Sequence, residues 1–132
     1  MTQDKASVKL KNRKVYNKIK KTMDNYLIDR EVLSQFIDEL IKKKPLRVNT
    51  TEELSNFREE QIKSLDDKIG KAIFSRLTDE QAEEFSRVLD QNEEGLEIFE
   101  AFFDHIGIDV EEIIYNTMES FGKEFLEGGK NV

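Results

Sequence analysis

A chain of 132 residues with 21 Lys and Arg against 28 Asp and Glu carries a formal net charge of −7. Leu, Ile, Val and Phe supply 39 of those residues. That share, about 30%, clears the roughly 20% below which charged chains stay disordered, so a single folded domain is expected. Cysteine is absent and histidine occurs once, which excludes disulfides, thiolate metal sites and cysteine nucleophiles and leaves little acid–base chemistry.

The residues divide by charge. Within 1–21, Lys5, Lys9, Lys11, Arg13, Lys14, Lys18, Lys20 and Lys21 face Asp4 alone, whereas from 79 onward only Arg87, Lys123 and Lys130 oppose 16 acids. The reading is therefore a basic N-terminal arm or helix over 1–24, an acidic helical bundle over 25–127 and a short tail over 128–132. No apolar stretch of signal-peptide type follows the basic segment, and none approaches the roughly 20 residues of a spanning helix. A cytoplasmic protein without a membrane span is expected.

Apolar residues recur at helical spacing, and no alternating strand pattern appears. The spacing predicts a first helix over 8–24 with Val15, Tyr16, Ile19 and Met23 on one stripe. Asp29 is placed to cap a second, whose pairs Val32/Leu33, Phe36/Ile37 and Leu40/Ile41 recur every four residues. Lys42-Lys43-Lys44 before Pro45 closes it, since cations suit the negative end of the dipole and proline blocks continuation. Residues 45–50 read as a linker.

Thr50-Thr51-Glu52-Glu53 forms a capping-box pattern ahead of a long helix carrying Leu54, Phe57, Ile62, Leu65, Ile69, Ile73 and Leu77. Gly70 inside it marks a close helix crossing or a bend. Thr78-Asp79-Glu80-Gln81 is a second box, before Ala82, Phe85, Val88 and Leu89. After a polar turn at 91–95, Leu96, Phe99, Phe102, Phe103 and Ile106 lie on a helix that should stop near Gly107. Asp109-Val110-Glu111-Glu112 is the third box, with Ile108 and Ile113 as a hydrophobic staple and Ile114, Met118, Phe121 and Phe125 behind it. Gly128-Gly129 ends that helix. The expectation is an all-α fold, a compact bundle of five or six helices with short loops. Its core is built on Phe36, Ile37, Leu65, Ile69, Ile73, Phe85, Leu89, Phe99, Phe102 and Phe121.

Asp90, Asn92 and Glu94 followed by Gly95 resemble the opening of an EF-hand loop, which places oxygen ligands at positions one, three and five and glycine at six. Leu77-Thr78-Asp79-Glu80-Gln81 with Phe85 likewise resembles the lead-in helix of calmodulin-type proteins. The twelfth position, however, is Ala101 instead of a bidentate glutamate, and the eighth is Glu97 instead of an apolar residue. These three residues are weak metal candidates, and an acidic helix–helix turn is the simpler reading. His105 has Phe102 three residues before it, so the Glu-x-x-His unit of di-iron bundles is missing. Adjacent acids such as Glu59/Glu60, Asp66/Asp67 and Glu83/Glu84 point about 100° apart on a helix and read as solvated faces. No phosphate loop or nucleophile elbow occurs, so no cofactor and no enzymatic activity are expected.

From about Leu27 to Phe125 the order of elements resembles a family of short, acidic, all-helical proteins of unknown function, found mostly in bacteria of the candidate phyla. The likeness is carried by the helix end from Ile73 to Leu77, by Leu77-Thr78-Asp79-Glu80-Gln81 with Glu84-Phe85, by the turn after Leu89-Asp90 and by the Ile108-Asp109 helix start. It implies an α-helical domain without a known activity, so no site residue is carried over. What remains is the basic segment. Lys9, Lys11, Arg13, Lys14, Lys18, Lys20 and Lys21 make it a candidate surface for an acidic protein partner, with RNA through residues 5–21 as the alternative. The basic arm can also satisfy the chain's own acidic body, either within one chain or by exchanging arms in a homodimer.

Overall fold

The computed structural model describes residues 13–44, 50–91 and 95–128. Among them lie six α-helices and no strand: α1 (Arg13–Tyr26), α2 (Arg30–Lys43), α3 (Thr51–Phe74), α4 (Asp79–Gln91), α5 (Gly95–Ile106) and α6 (Val110–Gly128). The all-α bundle read from the periodicity is the fold observed. The proposed start of the first helix at residue 8, residues 45–49 of the expected 45–50 linker and the tail beyond 128 lie outside the described residues.

The caps act as their sequences suggest, with one variation. Asp29 accepts the Glu31 amide at 2.9 Å, and Asp109 accepts that of Glu112 at 3.1 Å. The Thr78 box is reciprocal: the Gln81 amide donates to Thr78 Oγ1 at 3.1 Å, and the Thr78 amide donates to Gln81 Oε1 at 2.9 Å. At Thr50 the hydroxyl oxygen takes the Glu53 amide, while the Glu53 carboxylate accepts the Thr50 hydroxyl itself at 3.2 Å. The helix expected to run to Leu77 ends at Phe74. α5 stops where glycine permits it: Gly107 has φ +76°, and the Ile108 amide reaches back to the Phe103 carbonyl at 2.9 Å.

The helices form two groups of three. α2, α3 and α6 pack on one another, α1, α4 and α5 do the same, and the crossing of α1 on α3 is the principal joint between the groups. Ile62, Leu65, Ile69 and Ile73 run down the buried side of α3. In the second group Phe85 is fully buried among three rings, with centroids 4.7 Å from Phe99, 4.5 Å from Phe102 and 5.5 Å from Phe103. The core reading of those phenylalanines holds, although Phe36 and Leu89 are half-buried and Val32 is exposed.

Residues that the expected core left out fill the rest: Met23, Ile28, Leu33, Leu40, Phe103 and Ile113 among them. Most consequential are Ile19 and Met23, both with no exposed surface. Burying each contributes roughly 1.5–3 kcal/mol, so the basic α1 is a structural member of the bundle. Lys44 differs in another way. Besides closing α2, its ammonium donates to the Phe125 carbonyl at 2.9 Å and so serves the C-terminal end of α6.

Candidate functional site

α1 carries its chemistry on two faces because its apolar stripe is narrow. Val15, Tyr16, Ile19 and Met23 turn toward the bundle, and Arg13, Lys14 and Lys21 are exposed on the other side without an ion pair to any described residue. Tyr16 lies between the two, its ring edge-on to Phe74 at 5.0 Å and its hydroxyl donating to Asp67 at 3.3 Å.

Two of the expected partner-binding lysines are engaged within the fold. Lys18 is ion-paired with Asp90 near the end of α4. Lys20 donates to both oxygens of Asp24, four residues along α1, and to Asp66 Oδ2 on α3, each at 2.9 Å. Its aliphatic stem lies on Gly70: a Cβ there would collide with Lys20 Cδ and Cε. The glycine therefore marks a close crossing, one of the two readings the sequence allowed. Lys9 and Lys11 lie outside the described residues.

The electrostatics at this crossing follow from one ammonium serving two carboxylates. Burial works against the charge on Lys20, but the hydrogen bonds to Asp66 and Asp24 outweigh it, and its pKa rises. For Asp66 burial dominates, the neighbouring Asp24 adds to it, and Lys20 only partly offsets both, so the pKa is pushed up to about 6. Burial, followed by the charge of Asp67, pushes the Tyr16 phenol well above its usual range. Asp66 Oδ1 is buried without a hydrogen-bond partner. The acid pair Asp66/Asp67, read from the sequence as a solvated face, thus faces α1.

Beside the crossing, Asp24, Ile28, Arg30, Leu33, Ile62 and Asp66 line a cavity of about 160 Å³. That is below the roughly 300–1,000 Å³ of small-molecule and cofactor sites. Of the metal candidates, Asp90 sits in the last turn of α4 with its carboxylate on Lys18, and Asn92 and Glu94 lie outside the described residues. Among the described residues, no three His, Asp or Glu side chains converge to hold a metal ion. His105 is exposed in the last turn of α5.

Sequence reasoning could have found the Lys20–Asp24 pair, which has the i, i+4 spacing. It could not have found Asp66, which is 46 residues from Lys20. No helix among the described residues is long and apolar enough to cross a membrane. No curated protein and no solved structure matches the chain. A family model matches residues 40–125, from the end of α2 into α6 and leaving α1 outside. On that match, the chain belongs to the family described as "Protein of unknown function (DUF5663)".

Proposed function

We propose that this protein is a non-catalytic helical interaction module whose basic α1 surface, with Lys9 and Lys11 preceding it in sequence, engages an acidic protein partner. The supporting observation is the division of labour on α1. Its apolar stripe is spent on the core, while Arg13, Lys14 and Lys21 face solvent with no ion pair to a described residue. A helix anchored in this way presents its charges on a rigid support, which lowers the ordering cost of binding. The proposal also places the protein in the cytoplasm, in a bacterium of the candidate phyla as the resemblance suggests.

RNA is the second reading, favoured by the 8 cations among the first 21 residues. Two considerations weigh against it. Lys18 and Lys20 are already ion-paired with Asp90, Asp24 and Asp66, which leaves fewer cations for phosphate. The acidic remainder of the chain repels a polyanion that extends beyond the basic segment. A second copy of this chain also qualifies as an acidic partner, whereas a metal ion at Asp90 would have to displace Lys18.

The test is affinity capture with the full chain and with a variant carrying Arg13→Glu, Lys14→Glu and Lys21→Glu, each with and without nuclease. A defined protein that survives nuclease and is lost with the charge reversal supports the adaptor reading. Nuclease-sensitive recovery of ribonucleoprotein supports the RNA reading. Recovery indifferent to the charge reversal refutes a role for this face. Light scattering of the purified chain at low and high salt reads out self-association.

A further inference from the structure

The joint between the two helix groups is polar where most of the core is apolar. At its centre Lys20 meets Asp24 and Asp66, one positive charge against two negative ones. Neighbouring groups do not correct the imbalance. On α3, Asp67 is held by the Tyr16 hydroxyl and by Lys71 at 2.9 Å. Arg30, at the start of α2, lines the cavity beside Asp66 but is ion-paired with Glu59. Lys63 lines the same outer groove as Asp66, together with Glu59 and Glu60, but Lys20 is the cation that acts on the Asp66 carboxyl. Asp66 Oδ1 is buried and without a donor.

We propose that this crossing is a proton-linked latch: Asp66 takes up a proton beside Asp24 and the Lys20 ammonium, and α1 is held on the bundle more firmly with that proton than without it. The proton brings the three groups to neutrality, and it turns the orphaned oxygen into a donor toward Asp24. Relaxation by other routes is restricted. The Lys20 stem is pressed against the Gly70 backbone, and Ile19 and Met23 fix the height of α1 over α3. The latch is independent of the partner proposed above, but it governs the helix that presents Arg13, Lys14 and Lys21.

The direction of the pH dependence follows from burial. The folded-state pKa of Asp66, about 6, lies above that of an aspartate in the unfolded chain. The folded state therefore binds the proton more tightly. The added stability is fully present below the unfolded aspartate pKa and is lost as the pH rises through about 6.

The test is urea unfolding of the full chain, followed by far-ultraviolet dichroism at about pH 5 and about pH 7.5. The folding constant of the wild type should gain about tenfold on acidification over and above that of Asp66→Asn. Asp24→Asn should lose part of that increment, because the neighbour that adds to the effect of burial on Asp66 is gone while the burial remains. Asp67→Asn should keep it. Amide resonances of Ile19 on α1 and Gly70 on α3 should move together in the wild type, with a midpoint near that of Asp66. Equal pH dependence in wild type and Asp66→Asn overturns the latch. So does titration of Asp66 that leaves Ile19 and Gly70 unmoved.

Discussion

Replacing Phe85 by alanine tests the packing of the second helix group most directly. The ring has no exposed surface and touches three others, stacked on Phe102 at an interplanar angle of 15° and edge-on to Phe99 and Phe103. Truncating a buried phenylalanine costs about 3–5 kcal/mol, part of it from the cavity left behind. Ring pairs add about 0.5–1.5 kcal/mol each beyond buried area, so about 4–5 kcal/mol is expected here. A domain of this length is stable by only about 7–20 kcal/mol, so the variant should remain folded with much reduced stability. The chain contains no tryptophan, which makes far-ultraviolet dichroism the suitable probe of urea unfolding. With a slope of about 2 kcal/mol per molar urea, the midpoint should fall by about 2 M. Tyr115, 66% exposed on α6, is the matched control, and Tyr115→Ala should stay within about 0.5 kcal/mol of the parent. A loss below about 1.5 kcal/mol for Phe85→Ala, or an equal loss for both variants, would refute the packing argument.

Two further outcomes test local chemistry. Thr78→Ala removes one half of the reciprocal box at the start of α4 and should cost about 1 kcal/mol in unfolding free energy, whereas Thr78→Ser should restore most of it. Gly107→Ala places a Cβ in the left-handed region at φ +76° with open space around it, so its loss of about 1–2 kcal/mol is purely conformational. Gly107→Asn should lose less by the same denaturation assay, and equal losses would show that contacts rather than backbone conformation decide that position.

Short-range signals in the sequence mark the caps and the apolar stripes of the helices, although α3 stops at Phe74, short of the expected Leu77. Those properties depend on residues within about one turn of each other: Thr78 with Gln81, Asp109 with Glu112, Gly107 with Phe103 and Ile108. Such contacts are encoded at short range, and periodicity reports them without knowledge of the fold. The tertiary structure decided how the stripes are paired and, through that, what the charged residues do. Lys18 finds Asp90 across 72 residues of sequence, and Lys20 finds Asp66 across 46. Periodicity cannot tell a lysine facing solvent from one laid over a glycine of another helix, since both occupy the flank of an apolar stripe. For the same reason the adjacent acids Asp66 and Asp67 look like any solvated pair until α1 is placed on them. Burial then removes water from a carboxylate that the unfolded chain would keep hydrated, and that change in surroundings, with Asp24 brought alongside, gives Asp66 its altered proton affinity.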